Sequence, residues 1–505
     1  MSTFGDRYAD RVVGELSCFD RVVLRGTLPD ICHAKAMERY LRARGIRLFD
    51  YPRFAQPLRD EIRSNAEALA EKNGLEIDFI RRKDFRKEER VKAIVSERGD
   101  HPGLVHIFSA MEPCATYKPW HEKQEHRTFL RPADGKCLHY YFYFIDEELG
   151  LCYLRVPTWA PFRLQFYFNG HNQLARQLDK KGIGYTLLDN VFVRIDDFGK
   201  AQRLADSIRI DRLHKRLDRI AKRFCPVLSH FHAGYHWSLL QVEYATDLVF
   251  RSQEVLQPLY EGLIRKAVHG VKADNVATFL GRKLTGNYQD EIGNDFQTRI
   301  QGTRIKHHMG KVAIKMYDKL GLVLRIETTA NDVTFFKHYR KVVHRDGSSE
   351  MKNAAMKKSL YSLPDLRGIL HAANGRYLDF LATIDDPTAG MKNVKKLAEP
   401  VRRDGRTYRG FNLFSEPDLT LFVTILRGEF NVSGLTNRRL RSILCQYSAS
   451  QLSRILKRLR MHGLIKKIGH TYKYYLTQLG KRVASAALLL RELFLTPLLA
   501  RTQIT

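Results

Sequence analysis

The spacing of apolar residues along this chain changes period several times. Between residues 138 and 169 lies the clearest β signal: Leu138–Ile145 (LHYYFYFI) and Leu151–Val156 (LCYLRV) flank Asp146-Glu147-Glu148-Leu149-Gly150. Strand, turn with a glycine, strand predicts a hairpin. Arg163–Phe168 (RLQFYF) adds a third strand, Asn169-Gly170 breaks it, His171–Lys181 carries helical spacing, and Val191–Ile195 supplies a fourth strand. This is an α+β segment built on an antiparallel sheet. Upstream, Val22-Val23-Leu24 reads as a short strand ending at Gly26. Ala34–Arg44 and Leu58–Asn73 read as helices, Lys83–Arg98 as a highly charged helix and Leu104–Phe108 as a strand.

From 199 to 280 the pattern turns helical. Lys200–Lys222 alternates basic residues with Leu and Ile at helical spacing, Trp237–Lys266 predicts one or two helices, and Asn275–Leu280 another. Strand signals return at Val312–Tyr317 and Leu322–Glu327. The stretch 341–410 is rich in Lys, Arg, Asp and Gly, and Pro387, Gly390, Pro400 and Gly405 mark it as a linker. The expected organisation is a mixed α/β region (1–135), an α+β core with an aromatic antiparallel sheet and a helical insert (136–340), a basic linker (341–410) and a C-terminal module (411–505). No 20–50-residue period repeats, so a solenoid is not expected.

The C-terminal module is the best marked. Ser415-Glu416-Pro417-Asp418 has the form of a capping box, with a helix running to Arg427. Thr436 caps a second helix, Asn437–Leu444. Ser448 caps a third, Ala449–His462, which Gly463 ends. Leu464–Ile468 and Tyr472–Leu476 form a short hairpin across Gly469-His470-Thr471, and a final helix begins near Gln478. In the third helix Leu452, Ile455, Leu456 and Leu459 make the inner stripe, leaving Gln451, Arg454, Lys457, Arg458 and Arg460 for the outer faces. The segment SASQLSRILKRLRMHGLIKKIGHTYKYYLTQLGKRV resembles the MarR-like and related winged helix-turn-helix DNA-binding domains, over about 80 of the 505 residues. The resemblance implies that the third helix enters a major groove, with Gln451, Arg454, Lys457 and Arg458 reaching bases and phosphates. Lys466, Lys467, His470 and Lys473 would place the wing on the backbone. It also makes Val483–Leu499 a candidate dimerisation helix. The fold class expected for the whole is α+β, antiparallel sheets and helices followed by a winged helix.

Charge supports this reading. Lys+Arg is 85 against 55 Asp+Glu, a formal +30, which predicts attraction to polyanions. Residues 401–505 hold 19 Lys/Arg and 5 Asp/Glu, so +14 lies there and +16 in residues 1–400. The seven cysteines form no C-x-x-C pair, and reduced, packed thiols in a cytoplasmic protein are expected. Ala486–Ala500 is apolar but is interrupted by Arg491 and Glu492. It is too short to span a bilayer, and no membrane partner is expected.

Candidate chemistry lies at 302–329, GTRIKHHMGKVAIKMYDKLGLVLRIETT. The runs VAIKMY and LVLRIE flank Asp318-Lys319-Leu320-Gly321, another hairpin, and alternation puts Lys315 and Tyr317 on one face of one strand, Arg325 and Glu327 on one face of the other. Lys315 and Arg325 suit phosphate, and Glu327 suits a divalent metal. With His230-Phe231-His232 upstream, the pattern resembles a portion of rolling-circle replication initiators. These enzymes nick DNA with a tyrosine, usually followed by a lysine, and use a metal held by a His-hydrophobic-His pair. The resemblance implies catalytic Tyr317 and Glu327, and Mg²⁺ or Mn²⁺ held by His230, His232 and Glu327. The spacing Tyr317-Asp318-Lys319 is one residue shorter than that family's Tyr-x-x-Lys.

A second acidic set is Glu243, Asp247, Asp290, Glu291 and Asp295. Glu243 and Asp247 stand i,i+4 on an expected helix, facing either a metal or the cations Arg251, Arg282 and Arg299. The aromatics Tyr140–Phe144, Tyr153 and Phe166–Phe168 offer either a base-stacking platform or a sheet core. Two functional classes follow. One is a nucleic-acid-binding protein reading DNA through the C-terminal module, its large basic region contacting DNA or structured RNA. The other is a metal-dependent nicking, strand-transfer or nuclease enzyme of a replication or mobile-element system.

Overall fold

The structure is a computed structural model that describes residues 4–82, 84–284, 290–299, 302–382, 397–403, 405–412, 414–427, 429–430, 434–469 and 471–489. The chain divides into two compact units, Met1–Thr383 and Ile384–Thr505.

The first unit is built on β1 (Val12–Thr27), β2 (Ile77–Phe79), β3 (Gly103–Glu122), β4 (Arg127–Asp146), β5 (Gly150–Pro157), β6 (Leu164–Phe168), a small hairpin β7 (Tyr185–Leu188) and β8 (Val191–Ile195), then β9 (His236–Phe250), β10 (Ile292–Arg299), β11 (Gly302–Met309), β12 (Val312–Lys319) and β13 (Val323–Ala330), with a hairpin β14 (Lys337–Val343) and β15 (Ser349–Ala355). Eleven of these make one sheet in the order β10-β11-β12-β13-β9-β1-β6-β5-β4-β3-β2. Its pairings are antiparallel except β2 with β3. The helices used below are α1 (Lys87–Arg98), α2 (Gly170–Lys181), α3 (Phe198–Asp206), α4 (Ile210–Phe224) and α5 (Leu363–Ala382).

Both faces of the sheet are covered at its aromatic end. On one, Phe224 of α4 stacks on Phe142, ring centroids 4.7 Å apart, and lies 5.1 Å from Phe144. On the other, Val91 of α1 packs with Phe108, Tyr141 and Tyr143. Tyr140 to Phe144 are each under a tenth exposed, so the aromatic run is core, and the base-stacking alternative loses its surface. Residues covered on both faces do not alternate in polarity, which is why these strands read as near-continuous hydrophobic runs.

Three expectations are corrected. Residues 236–250 form strand β9, between β13 and β1, where helix was expected. No boundary falls at 135, because β3 and β4 pair across it, Cys114 opposite Gly135 and Glu112 opposite Cys137. The expected linker contributes β14–β15 and the buried helix α5. Asn374 of α5 is fully buried. It donates to Tyr244 O, Thr246 Oγ1 and Ile326 O and accepts from Thr328 Oγ1 at 2.6 Å, fastening the helix to the sheet. The division between units therefore falls at 383/384, not near 410.

The second unit contains β16 (Val401–Arg403), β17 (Arg406–Tyr408), α6 (Glu416–Ile425), α7 (Asn437–Ile443), α8 (Ala449–Met461), β18 (Ile465–Lys467), β19 (Tyr474–Leu476) and α9 (Gln478–Leu489). Leu419, Phe422, Leu440, Leu452, Leu456, Leu459, Ile465, Ala484 and Ala487 share its core. Thr436 caps α7 through Arg439 N, and Ser448 with Gln451 makes a complete capping box on α8. Gly463 follows α8 at φ 71°, the left-handed position glycine favours. Ser415 stands at the N-cap of α6 without a side-chain cap bond. Leu435 pairs with Tyr474, adding a third extended segment beside the β18–β19 hairpin.

Candidate functional site

The face of the sheet that carries the charged residues is set by register. Lys315 stands opposite Glu327 and Tyr317 opposite Arg325 across β12 and β13, so all four side chains share one face, as alternation predicts. β13 continues to β9, with Arg325 opposite Asp247 and Thr329 opposite Glu243. β9 pairs with β1, where the register shifts between Phe19 and Arg21. This bulge leaves Asp20 as the extra residue and turns its carboxylate toward the same cluster.

One part of the cluster is sealed. Arg325 is 0% exposed and Asp247 1%. Arg325 Nε and Nη2 donate to Asp247 Oδ1 and Oδ2, each at 2.6 Å, and Nη2 also reaches Asn190 O at 2.7 Å. Its Nη1 lies 3.6 Å from Asp20 Oδ2. Asn169, the N-cap of α2, and Asn190 donate to Asp20 Oδ1 at 3.1 and 2.7 Å, and the ring of His171 sits between Asp20 and Asp247. Burial alone would raise the Asp20 carboxyl, but Arg325, His171 and Asn190 hold it well below the usual carboxylate range. Burial likewise opposes the Asp247 charge, and Arg325 and His171 outweigh it.

The other part opens to solvent. Lys315 Nζ donates to Glu327 Oε1 at 2.5 Å and Glu243 Oε1 at 3.3 Å, Thr329 Oγ1 donates to Glu243, and Tyr317 OH donates to Glu327 Oε2. Asp20, Glu243 and Glu327 each place one carboxylate oxygen within 4.8 Å of the others. Burial and the charge of Glu327 raise the Glu243 pKa, opposed by Lys315. Burial would lower the Lys315 pKa, but the two carboxylates raise it. An oxygen-only set of this kind can hold a hard divalent cation, and here the Lys315 ammonium supplies the positive charge. A pocket of about 360 Å³ opens over Glu243 and Lys315, rimmed by Arg304, Lys306, His308 and Lys311.

The structure separates several expected partners. His230 ends a short 3₁₀ turn and pairs with Glu61 at 2.8 Å, while the His232 backbone N–H donates to Asp30. Neither histidine joins Glu327 in the only metal-sized cluster found among the described residues, so the His230–His232–Glu327 set is corrected to Asp20–Glu243–Glu327. Tyr317 is 8% exposed, and burial and Glu327 push its phenol well above the usual range, so as placed it is a donor to Glu327 and not an exposed nucleophile. Arg325 is a core residue and cannot reach a phosphate, and Lys315 is engaged by two carboxylates. Asp247 pairs with Arg325, not with the nearby arginines expected, and Asp295 lies 3.9 Å from Lys306. Asp20 was missed, since an acid in an apolar run carries no mark of the bulge that aims it.

In the second unit Gln451, Arg454 and Lys457 of α8 are exposed, as are Lys466, Lys467 and Lys473 on the hairpin. His470 lies outside the described residues. Arg458 is corrected: it turns inward, with Nη1 on Asp418 Oδ1 at 2.8 Å, Nη2 on Gly410 O at 2.6 Å and its guanidinium 3.8 Å over the Phe411 ring. Asn437 ties the two helices together by donating to Ala449 O and Ser453 Oγ. Ala484 and Ala487 of the expected dimer helix are buried in the unit's own core, and 490–499 lie outside the described residues.

All seven cysteines are free. Among the described residues no helix is long and apolar enough to cross a membrane. No family model matches the chain, and neither the curated proteins nor the solved structures give a match.

Proposed function

We propose that the protein binds nucleic acid, DNA in the first place, through a winged helix-turn-helix in its second unit. One observation carries the reading. α8 buries its leucine stripe, holds Arg458 inward, and presents Gln451, Arg454 and Lys457 to solvent beside the exposed lysines of a short hairpin. Helix, extended segment, helix, helix, hairpin, helix is the order of such domains. The charge supports it: between residues 430 and 491 the chain has thirteen Lys or Arg and no Asp or Glu. A polyphosphate is the partner that needs such a surface.

The test is duplex binding by the full chain over a range of salt. Each phosphate contact contributes about 0.9 to the slope of log affinity on log salt. Arg454→Ala with Lys457→Ala is expected to weaken binding and lower that slope by up to roughly two. Unchanged affinity and slope would show that α8 is not the reader.

A second reading, metal-dependent cleavage of the nucleic-acid backbone, is favoured by the Asp20–Glu243–Glu327 convergence under a pocket rimmed with cations. Mg²⁺ or Mn²⁺ would take the place of the Lys315 ammonium between the carboxylates and neutralise a phosphodiester oxygen. Nicking of supercoiled DNA with either ion, lost in Glu243→Gln, supports it. Absence of nicking with both ions leaves a binding protein.

A further inference from the structure

A second depression lies on the same face of the sheet, about 180 Å³ in volume, and three arginines line it. Arg25 comes from β1, Arg155 from β5, and Arg163 from the connection just before β6. Register explains their convergence: Gln165 of β6 stands opposite both Arg25 and Arg155, so two guanidiniums flank one glutamine on one face. His139 and Trp159 complete the wall. Leu240 of β9 lines this pocket, and the next residue, Gln241, lines the one over the carboxylates.

The charges here are not balanced. Arg155 is held by Glu112, its Nε and Nη2 donating to Oε2 at 2.9 and 2.6 Å. Arg163 spends one N–H on Cys32 O at 3.0 Å. Among the described residues neither Arg25 nor Arg163 has a carboxylate within ion-pair distance, and no hydrogen bond or ring contact of the Arg25 guanidinium is found. Burial, then the charges of Arg163 and Arg155, holds the Arg25 pKa below the usual arginine range. Burial and Arg155 bring His139 down to about 4, so its imidazole is neutral and adds no charge. Three guanidiniums face one carboxylate in a concave site, with Arg25 exposed to solvent, and an anion joining them would relieve the repulsion that water only partly screens. The planar fork of arginine matches phosphate oxygens in pairs, which no single carboxylate can satisfy three times over.

We propose that the pocket between Arg25, Arg155 and Arg163 is a phosphate-binding site, and that it holds a backbone phosphate of the nucleic acid bound by the protein. The second half of that statement rests on the function proposed above; the first half does not.

The test uses the full chain and two probes, inorganic phosphate followed by calorimetry in chloride buffer, and a short single-stranded DNA followed over a range of salt. Arg25→Gln and Arg163→Gln are suitable variants because neither residue is paired to a carboxylate. Phosphate affinity is expected to fall about tenfold or more in each, and the salt slope for the oligonucleotide by about 0.7. No phosphate binding by the parent protein, or equal binding by parent and variants, overturns the site. Phosphate binding lost in the variants with an unchanged oligonucleotide slope supports the site and overturns its attachment to nucleic acid. Arg454→Ala with Lys457→Ala separates the two ideas: if it leaves duplex binding intact while Arg25→Gln still abolishes phosphate binding, the C-terminal reading fails and the pocket stands.

Discussion

Arg325→Met distinguishes a core arginine from a phosphate ligand. The side chain is wholly buried, and its loss strips Asp247, 1% exposed, of two hydrogen bonds at 2.6 Å and leaves Asn190 O without its guanidinium donor. Removing one partner of a buried ion pair costs about 3–5 kcal/mol, because the other charge stays buried and uncompensated. The first unit spans Met1–Thr383. With an unfolding entropy of about 2.1 cal/mol/K per residue, a unit of that size unfolds with roughly 0.8 kcal/mol/K, so the expected fall in Tm is about 4–6 °C. Adding Asp247→Leu removes the stranded charge and is expected to recover part of the loss. Scanning calorimetry of parent, single and double variants measures this, with duplex binding followed in parallel. A fall under about 1 °C, or strictly additive losses in the double variant, refutes the buried pair. A salt slope that drops while Tm holds would return Arg325 to the nucleic-acid interface.

Lys315→Met leaves Glu243 and Glu327 facing each other without their shared ammonium. Glu243 already has its pKa raised by burial and by Glu327, so the folded state binds its proton more tightly than the unfolded one. For an acid shifted that way, stability is gained as pH falls through the folded pKa and lost as pH rises. The variant is therefore expected to be more destabilised in urea at about pH 8 than at about pH 5, and equal losses at both would count against the cluster. Arg458→Ala is expected to cost the second unit about 2–4 kcal/mol, since it frees the buried Asp418 carboxylate and two backbone carbonyls. The salt slope of the protein that remains folded should not change, and a slope lowered like that of Arg454→Ala would place Arg458 on the phosphates.

What could be read from the sequence divides along physical lines. The C-terminal unit was legible because its signals are local: Thr436, Ser448 and Gly463 sit at helix ends where their own chemistry places them. The shared face of Lys315, Tyr317, Arg325 and Glu327 was legible because period two and a short turn fix the register of a hairpin. β9 was not, because a central strand with both neighbours paired loses its alternation. The proximity of Glu243 and Asp247 survived the wrong element type, since residues four apart share a face in a strand as in a helix. Asp20, Arg25 and Arg155 carried no local signal. Asp20 meets Asn169 and Asn190, and Arg25 meets Gln165, across more than a hundred residues of sequence, and only the completed sheet brings Arg25 and Arg155 to one place.

Alternation names the face a side chain takes but not what lies over that face, and this determines the fate of each charge here. Where the N-terminus of α2 and the segment at Asn190 close over the sheet, the guanidinium is paired with carboxylates: Arg325 has Asp247 and Asp20, and Asn169 and Asn190 donate to Asp20. Two strands away, among the described residues, no carboxylate lies within ion-pair distance of Arg25 or Arg163. The same face of one sheet, with the same side-chain chemistry, yields a sealed ion pair at one place and a cationic hollow a few strands away. Of these two places, the second is the one where a guanidinium without a carboxylate partner would still gain by meeting an anion from outside.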